Sequence, residues 1–394
     1  MKPLHWEEAR ESIIRLVGGA ASTSTEEISL ECAAGRVLAQ DVFADRSYPP
    51  FPRSMRDGYA VHSGDIPGSL RIVGEVRAGE PANRPVQRGE CIEIMTGAPA
   101  PAGADAVLMV EHAVRVHDSI QTDRSLKSGE NISPAGCEAS ARDRVLAAGT
   151  RLDYAHVAVL ATVGTARVSV HRRPQVAIIA TGDEIVHVSS RPEEYQIRNS
   201  NAFSLGVQVQ RAGAEVTLAS LAADTMESLR STLTSAFESD VVLLSGGVSA
   251  GKYDLVEVVL AEFDAEFFFT RVLIQPGQPA VFGRAKGKFF FGLPGNPVST
   301  MVTFELFAKL ALQLLAGEQT PPLQMFTSPL LEPFRHKTGL TRFLPARLSD
   351  EGITPLRWQG SGDVFTVSRA NAFLVADSDR PSWETGEYIR VLAR

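Results

Sequence analysis

Strand-like apolar runs alternate with helix-length segments from residue 174 to residue 318, and this alternation limits the possible folds more than any other feature of the chain. The runs VAIIATG, EVTLASLA and DVVLLSGG are typical of buried strands, while MESLRSTLTSAF and LVEVVLAEF are typical of helices. Strands joined through helices of this length run mostly parallel, with helices on both faces of the sheet. We therefore predict a multidomain α/β protein whose central domain, residues 173–318, is a doubly wound, mostly parallel α/β domain.

Four glycine- or proline-rich loops follow strand-like runs in this region. They are SGGVSAGKYD at 245–254, TGDE at 181–184, QPGQP at 275–279 and LPGNP at 293–297. Open α/β sheets bind ligands at the carboxyl ends of their strands, where glycine lets the backbone approach a phosphate. We predict a nucleotide or pterin-phosphate site there, with the candidate residues Thr181, Gly182, Asp183, Ser245, Gly246, Gly247, Ser249, Pro276, Gly277, Pro294, Gly295 and Asn296.

Carboxylates accompany these loops at the same predicted edge of the sheet. Glu184 lies in TGDE, Asp254 ends SGGVSAGKYD, and Asp224 follows the strand EVTLASLA. Each could instead only complement a helix N-terminus, just as Asn296 and Pro297 could only begin a helix. Several carboxylates beside anion-binding loops repel one another unless a cation joins them, and Mg²⁺ prefers oxygen ligands. We predict a magnesium site formed by Glu184, Asp224 and Asp254.

The flanking regions carry different patterns. Residues 4–17 have the apolar spacing of an amphipathic helix, and RLDYAHVAVLATVG at 151–164 also has helical character. Between them, short alternating runs broken by Gly, Pro and Asp predict an inserted β-rich lobe at 46–140. Residues 1–45 and 141–172 would then form an N-terminal helical linker domain. Further β-type runs predict a small C-terminal β-domain at 319–394.

Composition excludes several classes of protein. The 394-residue chain has a formal net charge of −7, which disfavours a nucleic-acid-binding surface. Cys32, Cys91 and Cys137 have no metal or redox spacing, and we expect buried structural thiols in a reducing compartment. The N-terminus lacks the layout of a signal peptide, and no run approaches the roughly 18 apolar residues of a membrane span. We therefore expect a cytoplasmic protein that does not bind membranes.

Six motifs, taken together, resemble those of the molybdopterin molybdenumtransferase family, the molybdenum insertases of molybdenum-cofactor biosynthesis. They are RSMRDGYA, MTGAP, TGDE, SGGVSAGKYD, PGQP and LPGNP, in this order over most of the chain. The resemblance implies Mg²⁺-dependent insertion of molybdate into adenylated molybdopterin, with release of AMP. It also implies a homodimer in which the partner's β-lobe completes the cleft, and contacts with molybdopterin adenylyltransferase and acceptor molybdoenzymes.

The resemblance also implies roles for particular residues. It assigns catalytic positions to Asp254, Glu184, Asp224, Asp57 and Thr96, the first three on the magnesium side and the last two facing them from the β-lobe. Taken alone, the segments around Asp57 and Thr96 are typical of turns. Ser245 and the two glycines after it would hold pterin or phosphate, and Ser361 matches a further position of the family.

The chain departs from the family pattern at the residues that would meet molybdate. Gln275 and Gln278 stand where the family usually has lysines, and Pro345 stands where an arginine is common. Charge-assisted hydrogen bonds are about twice as strong as neutral ones, so the glutamines predict weaker binding of an oxyanion. The arginines that could compensate are Arg271, Arg342 and Arg347.

Two other functions stay open on the sequence. The glutamines would also suit a non-catalytic carrier or scaffold that keeps the pterin site but no longer captures molybdate. The central domain would suit a molybdopterin adenylyltransferase, although the additional N- and C-terminal regions argue against that activity.

Overall fold

The computed structural model describes residues 1–20, 22–247, 255–319 and 321–394. Within them the α-helices are α1 (Trp6–Gly18), α2 (Tyr154–Thr162), α3 (Asn201–Arg211), α4 (Met226–Ala236), α5 (Leu255–Ala261), α6 (Pro297–Thr303), α7 (Lys309–Leu315) and α8 (Val364–Arg369). A π-helical segment, Phe304–Ala308, joins α6 to α7. Short 3₁₀ turns occur at Leu30–Cys32, Ser63–Asp65 and Val110–His112.

The β-strands of the same residues are β1 (Thr25–Ser29), β2 (Val42–Phe43), β3 (Arg53–Ser54), β4 (Gly58–Val61), β5 (Gly68–Val76), β6 (Glu90–Ile94), β7 (Ala106–Met109), β8 (Val114–Val116), β9 (Ser119–Thr122), β10 (Ile132–Ser133), β11 (Arg144–Leu146), β12 (Arg167–His171), β13 (Gln175–Thr181), β14 (Ile185–Val186), β15 (Ile197–Arg198), β16 (Glu215–Ala222), β17 (Val241–Ser245), β18 (Glu266–Phe269), β19 (Ile274–Gln275), β20 (Val281–Ala285), β21 (Lys288–Leu293), β22 (Met325–Pro329), β23 (Phe334–Arg335), β24 (Thr341–Leu348), β25 (Ile353–Pro355), β26 (Ala372–Ala376), β27 (Ser382–Trp383) and β28 (Tyr388–Ala393).

The chain divides into two compact units. The larger unit contains residues 1–39, 149–152 and 169–394, and the smaller unit contains residues 40–148 and 153–168. Helix α1 therefore belongs to the larger unit and α2 to the smaller one. The division into four domains that we predict from the sequence is finer than this one and stays a prediction.

The central sheet of the larger unit is mixed. Its strand order is β16-β13-β17-β21-β20-β18. The first three pairings are parallel, whereas β21 with β20 and β20 with β18 are antiparallel. The antiparallel part begins at a two-residue hairpin in which Lys286 and Gly287 both have positive φ, as a type I′ turn requires. The parallel arrangement that we predict therefore describes only four of the strands.

Helices cover both faces of this sheet because its central strands, β13 and β17, are buried at nearly every position. In β13, Val176 and Ile178 pack in one buried cluster with α3, while Ala177 and Ile179 pack in a second cluster with α4 and α5. Successive side chains of a strand point to opposite faces, so a continuous apolar run indicates burial on both. This packing holds the parallel strands so that their carboxyl ends meet at one edge.

The C-terminal part of the larger unit is a second six-stranded sheet. Its main order is β19-β24-β26-β28-β22, and β25 pairs with β24. The run FTVSRANAFLVAD, which we predict as a strand throughout, begins as helix α8, because Asp363 accepts a hydrogen bond from the backbone N–H of Thr366 and so starts the helix. Helix α1 packs against the larger unit through Trp6, whose ring lies 6.0 Å from that of Phe343.

The smaller unit contains a six-stranded sheet with the order β7-β4-β6-β5-β9-β8. Only β5 and β6 pair in parallel within it, and the other pairings are antiparallel. Two short antiparallel ladders, β3 with β10 and β2 with β11, accompany the sheet. Both faces of the sheet pack on buried clusters, since Tyr59 and Cys91 belong to one cluster and their neighbours Ala60 and Ile92 belong to another.

One helical segment of the described residues has the length and composition of a membrane span. It runs from Pro297 to Leu315, has a mean hydropathy of 1.4, and is 78% buried inside the protein. Our expectation that no run approaches this composition is therefore wrong. Because most of the segment is buried among other elements of the larger unit, it is the core helix of that unit.

The three cysteines differ in exposure. Cys91 is buried, whereas Cys32 and Cys137 are exposed, so the expectation of three buried thiols is wrong for two of them. Burial raises the pKa of the Cys91 thiol to about 12. Since the thiolate is the reactive form, Cys91 is chemically inert at neutral pH and acts as a small apolar side chain.

Candidate ligand-binding cleft

A cleft of about 460 Å³ lies in the larger unit at the carboxyl ends of the parallel strands. Strands β13, β17 and β21 end at Thr181, Ser245 and Leu293, and the loops that follow them line the cleft together with Asp224. Parallel strands must present their carboxyl ends at the same edge, which is why loops far apart in sequence meet here. The remaining wall is formed by the segment from Ile197 to the first residue of α3.

Most of the predicted site residues of the larger unit line this cleft. They are Thr181, Gly182, Glu184, Asp224, Gly246, Gly247, Pro294, Gly295 and Asn296. Asp183, Ser245, Pro276, Gly277 and Ser361 are not part of its lining. Ser249 and Asp254 lie outside the described residues.

Two carboxylates, Glu184 and Asp224, line the cleft. The hydroxyl of Thr181 donates a hydrogen bond to Asp224 Oδ1, and the backbone N–H of Asp224 donates to Asp183 Oδ1 at 3.2 Å. The Glu184 carboxylate lies so close to Gly182 that a Cβ at this glycine would be 2.7 Å from Oε2. In the described part of the chain none of the three carboxylates forms an ion pair. The cleft thus holds negative charge without a basic partner from those residues.

Gly246 and Gly247 form the turn after β17, with φ values of 92° and 64°. A Cβ on Gly246 would lie 2.5 Å from the backbone oxygen of Thr181. The backbone N–H of Gly246 donates to the backbone oxygen of Leu293 at 3.2 Å. The backbone of this turn therefore touches the ends of both neighbouring strands. Only glycine satisfies the positive φ and the close approach together.

Replacing Gly246 with alanine is expected to destabilise the protein by about 2–4 kcal/mol. The left-handed backbone costs roughly 1–2 kcal/mol for a residue with a Cβ, and the contact with a backbone oxygen adds to this. The matched control is Gly386→Ala, because Gly386 has φ 86° but open space around a Cβ. It should lose only about 1 kcal/mol in urea unfolding. Equal losses in the two variants would contradict the steric argument.

The start of α3 contributes four residues to the cleft that our sequence reasoning does not single out as site residues: Arg198, Asn199, Ser200 and Asn201. The signal in the sequence is the polar run RNSN at the start of this helix, where such residues commonly act as caps. Asn199 does act as a cap, since its Oδ1 accepts the backbone N–H of Ala202 at 3.1 Å. The N-terminus of a helix also attracts anions.

Asn201 ties three elements together beneath the cleft. Its side chain is 7% exposed, and Nδ2 donates to Ser245 Oγ at 2.8 Å and to the carbonyl of Gly295 at 2.7 Å. The Gly295 carbonyl can only accept, so this bond fixes which end of the amide is the nitrogen. Oδ1 is buried and has no partner among the described residues. Ser245, which we predict as a ligand contact, is bonded instead to this buried amide.

Arg198 brings a positive charge to the cleft wall. Its Nε donates to the backbone oxygen of Ser190 at 3.0 Å, which leaves the two terminal nitrogens of the guanidinium without a partner in the described part of the chain. The side chain is exposed. A guanidinium in this situation can bind two oxygens of one phosphate.

Gly277 and Ser361 contact α6 instead of lining the cleft, and Pro276 precedes Gly277 in the same loop. A Cβ on Gly277 would lie 2.5 Å from Thr303 Cγ2, and the carbonyl of Ser361 accepts the backbone N–H of Val298 at 2.9 Å. These residues therefore join the 275–279 loop and the C-terminal part of the chain to one helix.

Asp57 and Thr96 lie together in the smaller unit. The backbone N–H and the hydroxyl of Thr96 donate to Asp57 Oδ1 at 2.6 and 2.9 Å. These two bonds, the backbone one first, lower the pKa of the Asp57 carboxyl. Asp57 is exposed and ionised at neutral pH, so it is available to a ligand or a cation.

Within the described residues no three His, Cys, Asp or Glu side chains are grouped so that they could hold a metal ion. Of the predicted magnesium ligands, Glu184 and Asp224 line the same cleft, while Asp254 is outside the described residues. The predicted three-carboxylate set stays a prediction.

Comparison with known proteins agrees with this architecture along the whole chain. The family model for the MoeA N-terminal region (domain I and II) matches residues 4–164. The model for a probable molybdopterin binding domain matches residues 177–314, and that for the MoeA C-terminal region (domain IV) matches residues 327–393. The fold and the cleft thus define a multidomain protein built around a molybdopterin-binding type of α/β domain.

Full-length relatives give a narrower assignment. The molybdopterin molybdenumtransferase of Staphylococcus epidermidis is 32% identical over 395 residues, covering 97% of this chain and 94% of the relative. The structure of a molybdopterin biosynthesis moeA protein from Pyrococcus horikoshii OT3 is 28% identical, with a TM-score of 0.81 and coverage of 100% of both chains. A second moeA structure from Pyrococcus is 31% identical, with a TM-score of 0.75, and the match covers 100% of this chain and 99% of that one. The chain belongs to the molybdopterin molybdenumtransferase family, and the resemblance seen in its six motifs is confirmed.

Proposed function

We propose that this protein inserts molybdate into adenylated molybdopterin in a Mg²⁺-dependent reaction that releases AMP. Its homologues are enzymes of molybdenum-cofactor biosynthesis. The observation that carries the proposal is the cleft in which glycine turns, a helix N-terminus and carboxylates without an ion pair among the described residues share one edge of the sheet. Such a site suits a phosphate ester better than a neutral ligand, because a cation can bridge the carboxylates and the phosphate.

The donor set of the cleft fits Mg²⁺. Asp224 and Glu184 supply hard carboxylate oxygens, and no basic side chain of the described residues pairs with either of them. Mg²⁺ bound there would neutralise charge on the phosphates of the substrate. Asp254 is the third ligand that we propose, on the sequence alone.

The residues of the chain would then position the substrate. Gly246 and Gly247 leave room for the ligand beside the backbone, and the N-terminal end of α3 offers partial positive charge to a phosphate. Arg198 would hold the phosphate that leaves as AMP. Because the reaction breaks a bond between two phosphates, fixed charges that match the leaving phosphate lower its barrier without a covalent nucleophile.

Arg342 is the residue that we propose to compensate for the two glutamines at the molybdate position. Gln275 and Arg342 are direct partners in the parallel pairing of β19 with β24, so their side chains leave the sheet on the same side. Arg342 Nε is buried and has no partner in the described part of the chain. A guanidinium whose Nε has no partner is a strong oxyanion donor, and Gln275 can add a neutral hydrogen bond.

Replacing Arg342 with alanine is expected to raise the molybdate concentration for half-maximal AMP release by about tenfold or more, since a charged hydrogen bond is lost. Binding of adenylated molybdopterin should change little. The matched control is Arg347→Ala on the same strand, because Arg347 is exposed and only weakly bonded, at 3.5 Å, to Arg369 O. An unchanged molybdate dependence in Arg342→Ala would contradict this role.

The proposed activity is tested by measuring AMP release from adenylated molybdopterin with Mg²⁺, with and without molybdate. Release that depends on both ions supports the insertase. Tight pterin binding without molybdate-dependent release would favour the carrier or scaffold instead. Pyrophosphate release from ATP and molybdopterin would favour the adenylyltransferase.

We propose further that two copies of the chain associate and that Asp57 and Thr96 act on the cleft of the other copy, as the family resemblance implies. The inactive variants Asp57→Ala and Asp224→Asn should then complement each other. A random equal mixture would regain about one quarter of the wild-type rate, because half of the dimers are mixed and each of these has one intact site. No recovery after mixing and refolding would mean that Asp57 acts within its own chain or not at all.

A further inference from the structure

A second cavity of about 230 Å³ lies in the larger unit beside the C-terminal half of α3. Its walls come from α3, from the helical segment that begins at Pro297, and from the last strands of the chain. It shares α3 with the cleft but has no lining residue in common with it. The proposed function does not use this cavity.

Positive charge dominates the polar side of the cavity. Arg211 is exposed and forms no hydrogen bond or ion pair in the described part of the chain. Its charge acts on the guanidinium of Arg394, which also lines the cavity. Arg394 Nη1 donates to the carbonyls of Val367 and, at 2.9 Å, Ala370, which holds that guanidinium in place. Burial, and then the charge of Arg211, lower the pKa of Arg394. Two guanidiniums that line one cavity repel each other unless an anion lies between them.

The acidic residue of the cavity does not neutralise this pair. Glu305 Oε2 is bonded to Lys309 Nζ at 2.8 Å, and its Oε1 accepts from Gln208 Nε2 at 2.9 Å. Glu305 therefore already has a basic partner in Lys309, and its charge offsets only part of the positive charge that acts on Arg394. The cavity keeps an excess of positive charge.

Gln208 also lines this cavity, and its side-chain oxygen is a hydrogen-bond acceptor left unsatisfied by the residues that the structure describes. Its Nε2 donates to Met301 O at 3.1 Å as well as to Glu305, and both of these partners can only accept. The amide orientation is therefore fixed, and Oε1 is buried without a partner among the described residues. A buried carbonyl oxygen without a donor costs free energy, so a ligand that brings an N–H or O–H group would relieve it.

The backbone around the cavity is also unusual. Glu305 lies in the π-helical segment Phe304–Ala308, and π-helical segments occur preferentially at functional sites. Arg10 Nη1 reaches the carbonyl of Leu306 in this segment at 2.6 Å, so the irregular turn is held in place from the other side. Met301 and Phe373, with Val207, form an apolar wall opposite the charges.

We propose that this cavity is a binding site for a small organic anion, a carboxylate or phosphate monoester with a short apolar body and an N–H or O–H group. The anion would join Arg211 and Arg394, and the donor would reach Gln208. The volume equals about eight water molecules, so the ligand is smaller than the substrates of ordinary ligand pockets.

The test is a titration of the full chain with phenyl phosphate, benzoate and inorganic phosphate, in which ligand-observed NMR measures the binding. We expect saturable binding of phenyl phosphate or benzoate that is at least about tenfold tighter than that of inorganic phosphate, because only the first two can use the apolar wall. The stronger of the two identifies the phosphate or the carboxylate as the anion. Equal affinity for all three, or no saturation, would overturn the proposal.

Variants locate the binding. Arg211→Ala should weaken it about tenfold, and the fold should survive because Arg211 is exposed. Arg198→Ala removes the arginine of the separate cleft, and Arg124→Ala removes an exposed arginine of the smaller unit. Neither control should change the affinity. Loss of binding in Arg198→Ala but not in Arg211→Ala would place the anion in the cleft and overturn the second site.

Discussion

Replacing Asp224 with asparagine is expected to lower molybdate-dependent AMP release by about 100-fold or more. Asparagine has nearly the same shape and can still accept the hydrogen bond from the Thr181 hydroxyl, so the loop should keep its conformation. The negative charge that we propose for Mg²⁺ is lost, and loss of one preorganised charge at such a site typically costs 10²–10³ in rate. The variant should also need more Mg²⁺ for its remaining activity.

The measurement for Asp224→Asn is the rate of AMP release over a range of Mg²⁺ concentrations, together with urea unfolding. Glu194→Gln is the control, because Glu194 is exposed and does not line the cleft. The control should match the wild type in both assays. A fully active Asp224→Asn protein with unchanged Mg²⁺ dependence would remove Asp224 from the proposed metal site.

Replacing Asn201 with aspartate is expected to destabilise the protein by about 2–4 kcal/mol and to impair the cleft. Nδ2 donates to Ser245 Oγ and to the Gly295 carbonyl, and a carboxylate can make only the first contact, with the serine as donor. The Gly295 carbonyl would then face a carboxylate oxygen at hydrogen-bond distance, and losing a hydrogen bond at the largely buried Asn201 position costs about 1–3 kcal/mol by itself. The buried charge adds a further penalty.

Asn199→Asp is the matched control for this variant. It adds the same charge to the same cleft two residues earlier. Among the described residues the Asn199 side chain acts only as an acceptor for the Ala202 N–H, which aspartate serves equally well. Its free energy of unfolding should stay within about 0.5 kcal/mol of the wild type. Any loss of ligand affinity common to both variants reports the added charge. If both variants unfold at the same urea concentration, the Asn201 hydrogen bonds do not stabilise the site.

Local pattern was sufficient to place Glu184 and Asp224 at one edge of a sheet. Glu184 follows an unbroken apolar run and Asp224 follows the strand-like run EVTLASLA, and parallel strands end at a common edge whatever the details of packing. The turn at Gly246 and Gly247 could also be predicted from the sequence, because two adjacent glycines after a buried strand indicate a backbone conformation that other residues rarely adopt.

Other parts of the structure depended on contacts that no local pattern reports. Asn201 bonds residues that are 44 and 94 positions away, and its own neighbourhood indicates nothing more than a helix start. The pairing of Gln275 with Arg342 is of the same kind, since it joins the α/β region to the C-terminal sheet. The antiparallel hairpin at Lys286 and Gly287 did have a local signal, the glycine in a short connection between two strand-like runs. The parallel pattern of the preceding strands outweighed that signal in the prediction.

The sequence by itself determined which segments become the strands of the parallel part of the central sheet, which loops end at the ligand edge, and to which family the chain is similar. These properties follow from side-chain periodicity and from the backbone freedom of glycine, which act over a few residues. Only the tertiary structure decided that Asn201 holds the floor of the cleft, that Arg342 stands beside Gln275, and that Arg211 meets Arg394 at a second cavity. Such contacts form when distant segments pack, and their geometry depends on the whole fold.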